Sequence, residues 1–208
     1  EVFSVIEADM ERVQAVRAAQ KEAFAQREGF SLTYLPFIAR AVVDALAAHP
    51  ALNARIEADG ASIATNDAIH LGIAVDLNES GLLVPVVRDA DAMNVLGIAR
   101  RINALSKAAR NGSIAPGDVS GSTFSITNNG AFGTLMTAAI INQPNVAILS
   151  TDVVEQRPVV LDGAIVARYR MYLCMTWDHR ALDGSTAGRF LARVKNNLET
   201  WDWATQLA

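Results

Sequence analysis

Cysteine, charge and long apolar runs are all scarce in this 208-residue chain, and each scarcity excludes a class of protein. Its one cysteine, Cys174, has no partner for an internal bridge, which removes the disulfide-stapled extracellular scaffolds and favours a reducing compartment. Charged residues make up only 19% of the chain. The 18 Lys and Arg stand against 22 Asp and Glu, a formal net charge of −4 with neither sign gathered into a block, so no nucleic-acid surface is expected. No stretch approaches the ~20 apolar residues that a membrane helix needs, and the first residues lack the basic-then-apolar pattern of a secretory signal. A soluble protein with no membrane partner is the expectation. Without a signal, the Asn-x-Ser sequences at Asn78 and Asn111 read as chance matches rather than glycosylation sites.

Motifs are missing too. There is no G-x-G-x-x-G, no G-x-x-x-x-G-K-[ST] and no G-x-S-x-G, which removes the dinucleotide, P-loop and common serine-hydrolase readings. His49, His70, His179 and Cys174 show no ligand spacing, so no metal is expected.

What is abundant is apolar side chain, 51% of residues, enough for a large core with some left for contacts between subunits. The chain opens on the strand-like EVFSVIEA with no initiator Met, which is expected of a piece of a longer polypeptide. Helical spacing follows over 9–26, ending near Gly29, and again after Ser31 and Thr33, with Pro36 in the first turn and Pro50 just beyond the end. Strands are predicted over 62–65, 70–77 and 82–88, a helix over 94–110 stopped by Asn111-Gly112, then strands over 123–127, 146–153 and 164–177. A closing helix spans 184–200. With no repeat and no long linker, residues 1–208 read as one mixed α/β domain, and the irregular alternation argues against a doubly wound sheet.

Chemistry could sit at the isolated histidines, in a polar knot or on a hydroxyl-bearing strand. His49, at a helix end where the dipole favours a cation, and His70, at the start of a strand, both read as structural. His179 lies in a polar knot, WDHRALDG over 177–184, between an apolar strand and an apolar helix. A strand-to-helix junction can present a side chain to a cleft while the backbone stays anchored. The same knot also reads as a loop whose Asp and Arg pair internally while Asp183 caps the next helix. The third place is Gly121 to Gly133, where Ser125 and Thr127 alternate with Phe124 and Ile126 before Asn128-Asn129-Gly130, a turn that calls for positive φ. Hydroxyls on one face of such a strand can donate to a ligand oxygen, and they are equally ordinary on a half-exposed strand.

Asp178-His179-Arg180-Ala181-Leu182-Asp183-Gly184 resembles the D-H-R-x-x-D-G signature of the catalytic domains of 2-oxo acid dehydrogenase complex acyltransferases, the E2 components. That family carries a strand similar to 123–128 about fifty residues upstream, and here Thr127 precedes His179 by 52. Segments 83–90 (LVPVVRDA), 140–144 (IINQP) with 148–149, 32–37 and 50–54 also resemble family segments, in the same order. The shorter H-x-x-x-D-G is shared with chloramphenicol acetyltransferases and peptide-synthetase condensation domains.

The resemblance implies a chloramphenicol-acetyltransferase-like, trimer-forming fold, a mixed sheet with flanking helices, and channels between neighbouring subunits that draw the His and the hydroxyl donor from different chains. His179 would be the general base, a role that suits an imidazole near neutrality. Thr127 would donate to the tetrahedral oxyanion. Asp183 matches the family Asp, with a structural role, through an ion pair with an unidentified Arg, weighed ahead of a catalytic one. Coenzyme A would be the acceptor substrate, through residues the sequence does not assign, and the donor would be dihydrolipoamide on a separate lipoyl domain. The lipoyl and peripheral-subunit-binding domains, through which the E1 and E3 components are engaged, are expected upstream of residue 1. A larger core built from trimers is expected, in the cytoplasm or, in a eukaryote, the mitochondrial matrix. Two rivals stand beside this reading: another CoA-dependent acyltransferase of the chloramphenicol acetyltransferase type, and a non-catalytic core subunit. Trp177 and the lack of a cation in the Thr127 loop favour acetyl or branched-chain groups over succinyl.

Overall fold

A computed structural model describes residues 1–78 and 81–207. The opening alternation forms strand β1 (Val2–Asp9) and passes into helix α1 (Glu11–Glu28), which ends where Gly29 turns left-handed at φ 75°. Helix α2 (Leu35–Ala48) starts with Pro36 in its first turn, and neither Ser31 nor Thr33 caps it, because the flanking position is Tyr34. Two short strands, β2 (Ala54–Ile56) and β3 (Ile63–Thr65), pair antiparallel beside it.

The expected strands 70–77 and 82–88 each break in two, giving β4 (Leu71–Ile73), β5 (Val75–Asp76), β6 (Leu82–Leu83) and β7 (Val86–Val87). Pro85 has no N–H to donate, which breaks the second segment there, while Ala74 still bonds the main sheet through its N–H to Ile126 O before the chain leaves it as β5. The outer halves β5 and β6 pair with each other, while β4 and β7 stay in the main sheet. Of the residues between Asn78 and Gly81, positions 79 and 80 lie outside the described residues, and with them most of the first Asn-x-Ser sequence.

Helix α3 (Val95–Arg110) begins at Asn94, whose side chain accepts from Gly97 N–H, and ends at Asn111-Gly112 as expected. There follow β8 (Phe124–Asn128), β9 (Ala147–Thr151), β10 (Glu155–Leu161), β11 (Ala164–Trp177), helix α4 (Gly184–Thr200) and the short helix α5 (Trp203–Leu207). The main sheet runs β1-β11-β9-β8-β4-β7, with β10 continuing the β9 side of β11 as a hairpin. Only β4-β8 and β8-β9 are parallel. This is the mixed sheet with flanking helices that the sequence implies.

The two faces of the sheet differ in chemistry. Phe124, Ile126, Leu149, Leu173, Met175 and Trp177 face the helices and join one continuous core with Phe37, Ile38 and Val42 of α2 and Phe190, Leu191 and Val194 of α4. The opposite face carries Ser125, Ser150, Cys174 and Thr176, all buried. Residues 129–145 cover it: Asn145 donates to Ser125 Oγ at 3.1 Å, and Thr134 and Thr137 both donate to the Asp152 carboxylate at 2.7 Å. The hydroxyl pattern of β8 therefore belongs to an enclosed polar layer, not to a half-exposed strand. Gly130 follows from that layer, since a Cβ there would meet the Asp152 carbonyl oxygen at 2.6 Å. Positive φ, expected at Asn129-Gly130, occurs instead at Gly133. Among the described residues no helix is long and apolar enough to cross a membrane.

Candidate active site

Trp177 is the last residue of β11, gripped on one side by Val2 of β1 and on the other by Ala147 of β9. Asp178 extends the ladder by one more bond, its N–H donating to Val146 O, and the chain then turns. Arg180 folds back on Asp178 with its backbone N–H at 2.9 Å, Nε at 3.0 Å and Nη2 at 2.6 Å from the carboxylate. Those bonds hold the Asp178 carboxyl below the usual carboxylate range. The residue between them, His179, is thrown outward and exposed, its ring lying on the Trp177 indole with centroids 4.8 Å apart.

Asp183 closes the turn. Its carboxylate accepts from the Thr186 N–H at 2.6 Å and the Ser185 hydroxyl at 2.9 Å, which makes it the N-cap of α4 and holds its pKa at about 2. No ion pair reaches it among the described residues; the Asp-Arg pair of this loop is Asp178-Arg180. A cap of this kind is made as well by Asn as by Asp. Asp183→Asn is thus expected to keep both the melting temperature and the activity, while Asp183→Ala lowers the melting temperature, read by calorimetry. Because the folded pKa is depressed, the stabilisation of the charged cap is complete above the ordinary pKa of 3.8 and is lost as pH falls through about 2. Asp183→Asn should flatten that part of the acid-unfolding curve.

Thr127 sits near the carboxyl end of β8, opposite Ser150 of β9. Its carbonyl accepts from Thr151 Oγ1, whereas its own hydroxyl makes no hydrogen bond among the described residues and is half-buried. Two cavities flank this strand end. One of about 250 Å³ is lined by Arg17, Tyr34, Asn128, Gly130, Thr151 and Asp152. The other, about 240 Å³, is lined by Leu35, Val75, Ile102, Arg110, Asn128 and Phe132. The Thr127 loop has no cation of its own, yet helices α1 and α3 bring Arg17 and Arg110 to its two sides. The linear reading missed both because they lie 110 and 17 residues away in the chain.

The structure does not bring His179 and Thr127 together within one chain. β11 runs antiparallel to β9, so Asp178 lies opposite Val146, four residues back along β9 from the Ser150 that faces Thr127. That is roughly 13 Å along the strands and, two strands over, roughly 10 Å across. His179 lies beyond Asp178 again.

The remaining candidates are structural. His49 packs its ring against Phe190, and burial with Arg193 and Arg189 nearby holds its pKa below the ordinary value, so it is not the cation that a helix end would favour. His70 Nδ1 accepts the Asp89 N–H at 3.0 Å. Cys174 is buried and its thiol is pushed up to about 11, mainly by desolvation, which leaves it inert. Among the described residues no three His, Cys, Asp or Glu gather as a metal site.

Residues 1–205 match the family of 2-oxoacid dehydrogenases acyltransferase (catalytic domain). The chain belongs to this family. Relatives within it carry three different acyl names. The dihydrolipoyllysine-residue acetyltransferase component of the pyruvate dehydrogenase complex of Mycobacterium bovis is 46% identical over 93% of this chain and 36% of its own length. The succinyltransferase component of the 2-oxoglutarate dehydrogenase complex of Bartonella vinsonii is 42% identical over 93% and 46%. The lipoamide acyltransferase component of the branched-chain alpha-keto acid dehydrogenase complex of Bacillus subtilis is 39% identical over 99% and 48%. The chain therefore spans less than half the length of each of these three relatives. Among solved structures, the cubic core of a pyruvate dehydrogenase multienzyme complex superposes with TM-score 0.90 at 33% identity, covering 100% of this chain and 84% of that one. An Azotobacter vinelandii dihydrolipoamide acetyltransferase does so with TM-score 0.90 at 32% identity and the same coverage; its study addressed the catalytic roles of a serine, a histidine 52 positions later and an asparagine four beyond that. A chloramphenicol acetyltransferase, at 19% identity and TM-score 0.60 over 95% of this chain and 88% of that one, shares the fold.

Proposed function

We propose that the chain is the catalytic unit of a dihydrolipoamide acyltransferase, moving an acyl group between dihydrolipoamide and coenzyme A, with His179 as base and Thr127 as oxyanion donor. The observation that carries this is the pair of exposed or unengaged groups, an imidazole and a hydroxyl, set 52 residues apart as in the Azotobacter enzyme and held by two ends of one sheet. The asparagine of that enzyme stands at the spacing of Asp183, which agrees with a capping role that either residue fills.

His179 takes the thiol proton of coenzyme A as the sulfur attacks the acyl carbonyl carbon. Thr127 Oγ donates to the oxygen as it becomes negative. The tetrahedral intermediate collapses, the bond to the dihydrolipoamide sulfur breaks, and the imidazolium returns its proton to that sulfur. One chain holds the two groups apart, which supports a working site between two copies; the family resemblance makes that unit a homotrimer in which His179 of one copy meets Thr127 of the next. The relatives' length supports a donor lipoyl domain, and contacts to E1 and E3, on parts of the protein outside these residues. The cubic-core neighbour supports a larger assembly of trimers.

Acetyl or branched-chain groups stand as the first reading of the cargo, although Trp177 is buried in the core instead of lining a cavity beside Thr127. Arg17 and Arg110 at the flanks of the Thr127 strand keep succinyl as a second reading, because either guanidinium can pair with a distal carboxylate. Acetyl-, isobutyryl- and succinyl-CoA compared as donors to free dihydrolipoamide decide between them by kcat/KM. Preference for acetyl or isobutyryl supports the first reading, preference for succinyl the second, and no transfer from any of the three defeats the proposed activity.

A further inference from the structure

Among the described residues of its own chain, His179 lacks the usual companion of a catalytic imidazole. A base of this kind is commonly steadied by a carboxylate that stabilises the imidazolium as it forms. The nearest acid in sequence, Asp178, is already matched by Arg180 through three side-chain contacts of 2.6 to 3.2 Å, and no salt bridge to His179 occurs among the described residues. What the ring touches instead is an aromatic face. The Trp177 indole lies with its centroid 4.8 Å from that of His179 and the planes inclined at 42°.

That indole is unusually well fixed. Trp177 is 1% exposed, its backbone is paired on both sides, and its Nε1 donates to Ser4 Oγ of β1 at 3.1 Å. The ring can neither rotate away nor tilt without breaking that bond inside the core. An aromatic face is electron-rich and attracts a cation within about 6 Å of its centroid, while a neutral ring gains much less. The contact is therefore stronger when His179 is charged, which is its state at the tetrahedral intermediate, than when it is neutral, which is its state beforehand. An interaction that grows toward the transition state raises kcat and leaves substrate binding alone.

We infer that Trp177, pinned by Ser4, is a positioning residue for His179, holding the imidazole in place and supporting its positive charge as it accepts the thiol proton. The inference rests on the acyl-transfer reading above. In the step it serves, the coenzyme A S–H bond breaks, the proton goes to the imidazole, the sulfur electron pair forms the bond to the acyl carbon, and the indole face remains chemically unchanged.

The test uses the chain with its tryptophans replaced by 5-fluoro-, difluoro- and tetrafluorotryptophan, which keep the indole's shape and N–H while draining its π face. With acetyl-CoA and free dihydrolipoamide, kcat should fall stepwise with fluorine number, about tenfold by the tetrafluoro form, with KM for CoA within twofold. The same series in Trp177→Phe, where Trp201 and Trp203 are still labelled, should be flat, and unlabelled Trp177→Phe should lose kcat a few-fold, with KM for CoA within twofold, because a phenyl face remains but the bond to Ser4 does not. Ser4→Ala should lower kcat a few-fold and shift the His179 ring protons in the NMR spectrum as the indole loosens. A flat fluorine series in the parent chain, or a slope that survives in Trp177→Phe, overturns the inference. Absence of any transfer in the unlabelled parent chain overturns instead the acyltransferase reading.

Discussion

His179→Ala is expected to lower kcat for transfer between acyl-dihydrolipoamide and coenzyme A by about 10³-fold, the scale on which a positioned general base acts. The fold should not notice the change. The His179 side chain is exposed, makes no hydrogen bond among the described residues and rests its ring against the Trp177 indole, while the turn that carries it is set by Asp178, Arg180 and Asp183. The melting temperature and the sedimentation of the assembly should therefore match the parent chain. Imidazole added to the buffer can serve as an external base in the vacated space, and partial recovery of rate with rising imidazole would tie the loss to the missing proton acceptor. Turnover within twofold of the parent at neutral pH would mean that the thiol is deprotonated by something other than His179. A non-catalytic core subunit, the rival reading, predicts no activity to lose and the same melting temperature, so the parent assay separates the two before any variant is made.

Much of this site was legible in the sequence because both of its halves are local. The knot at 177–184 declares itself through polar residues wedged between apolar runs, and the capping geometry of Asp183 follows from an Asp three residues ahead of a helical Thr. The long strand 164–177 and the helix 184–200 were readable for the same reason, strong periodicity over many residues. What was not legible came from contacts between distant segments. β10 carries Pro158 and its neighbours are half polar, so no alternation marks it, although Asp162-Gly163, both at positive φ, is a hairpin turn that could have. Ser125 and Thr127 look alike in sequence. Only the loop over 129–145 tells them apart, burying Ser125 against Asn145 and leaving the Thr127 hydroxyl unengaged. Arg17 and Arg110 reach the same strand end from two helices, a juxtaposition no linear window contains. Gly130 is needed for the space beside the Asp152 carbonyl, not for a left-handed turn, and a steric demand made by a residue 22 positions away leaves no local signature.

Thr127→Ala is expected to lower kcat by about 10²-fold with little change in KM for CoA, because an oxyanion donor meets its partner only when the carbonyl oxygen becomes negative. Thr127→Ser, which keeps the hydroxyl, should recover most of the rate, whereas Thr127→Val, which keeps the shape, should not. A pure KM effect would place the hydroxyl in ground-state binding instead. The stronger consequence is topological. β8 and β11 flank β9 in opposite senses, so that Thr127 and His179 sit near opposite ends of one sheet, roughly 13 Å or more apart along the strands before the two lateral steps are counted. A site assembled within one chain cannot use both. In a trimer whose sites each take His179 from one copy and Thr127 from its neighbour, two dead variants complement each other. Mixing His179→Ala and Thr127→Ala chains by unfolding and reassembly at equal amounts should restore about one quarter of parental activity, because about one site in four then pairs an intact histidine with an intact threonine. Mixing the folded assemblies without exchange of subunits should restore none. If reassembled mixtures stay as inactive as their parents while remaining trimeric, the two residues do not share a site across chains. The complementation value thus reads the sheet's register directly as an activity.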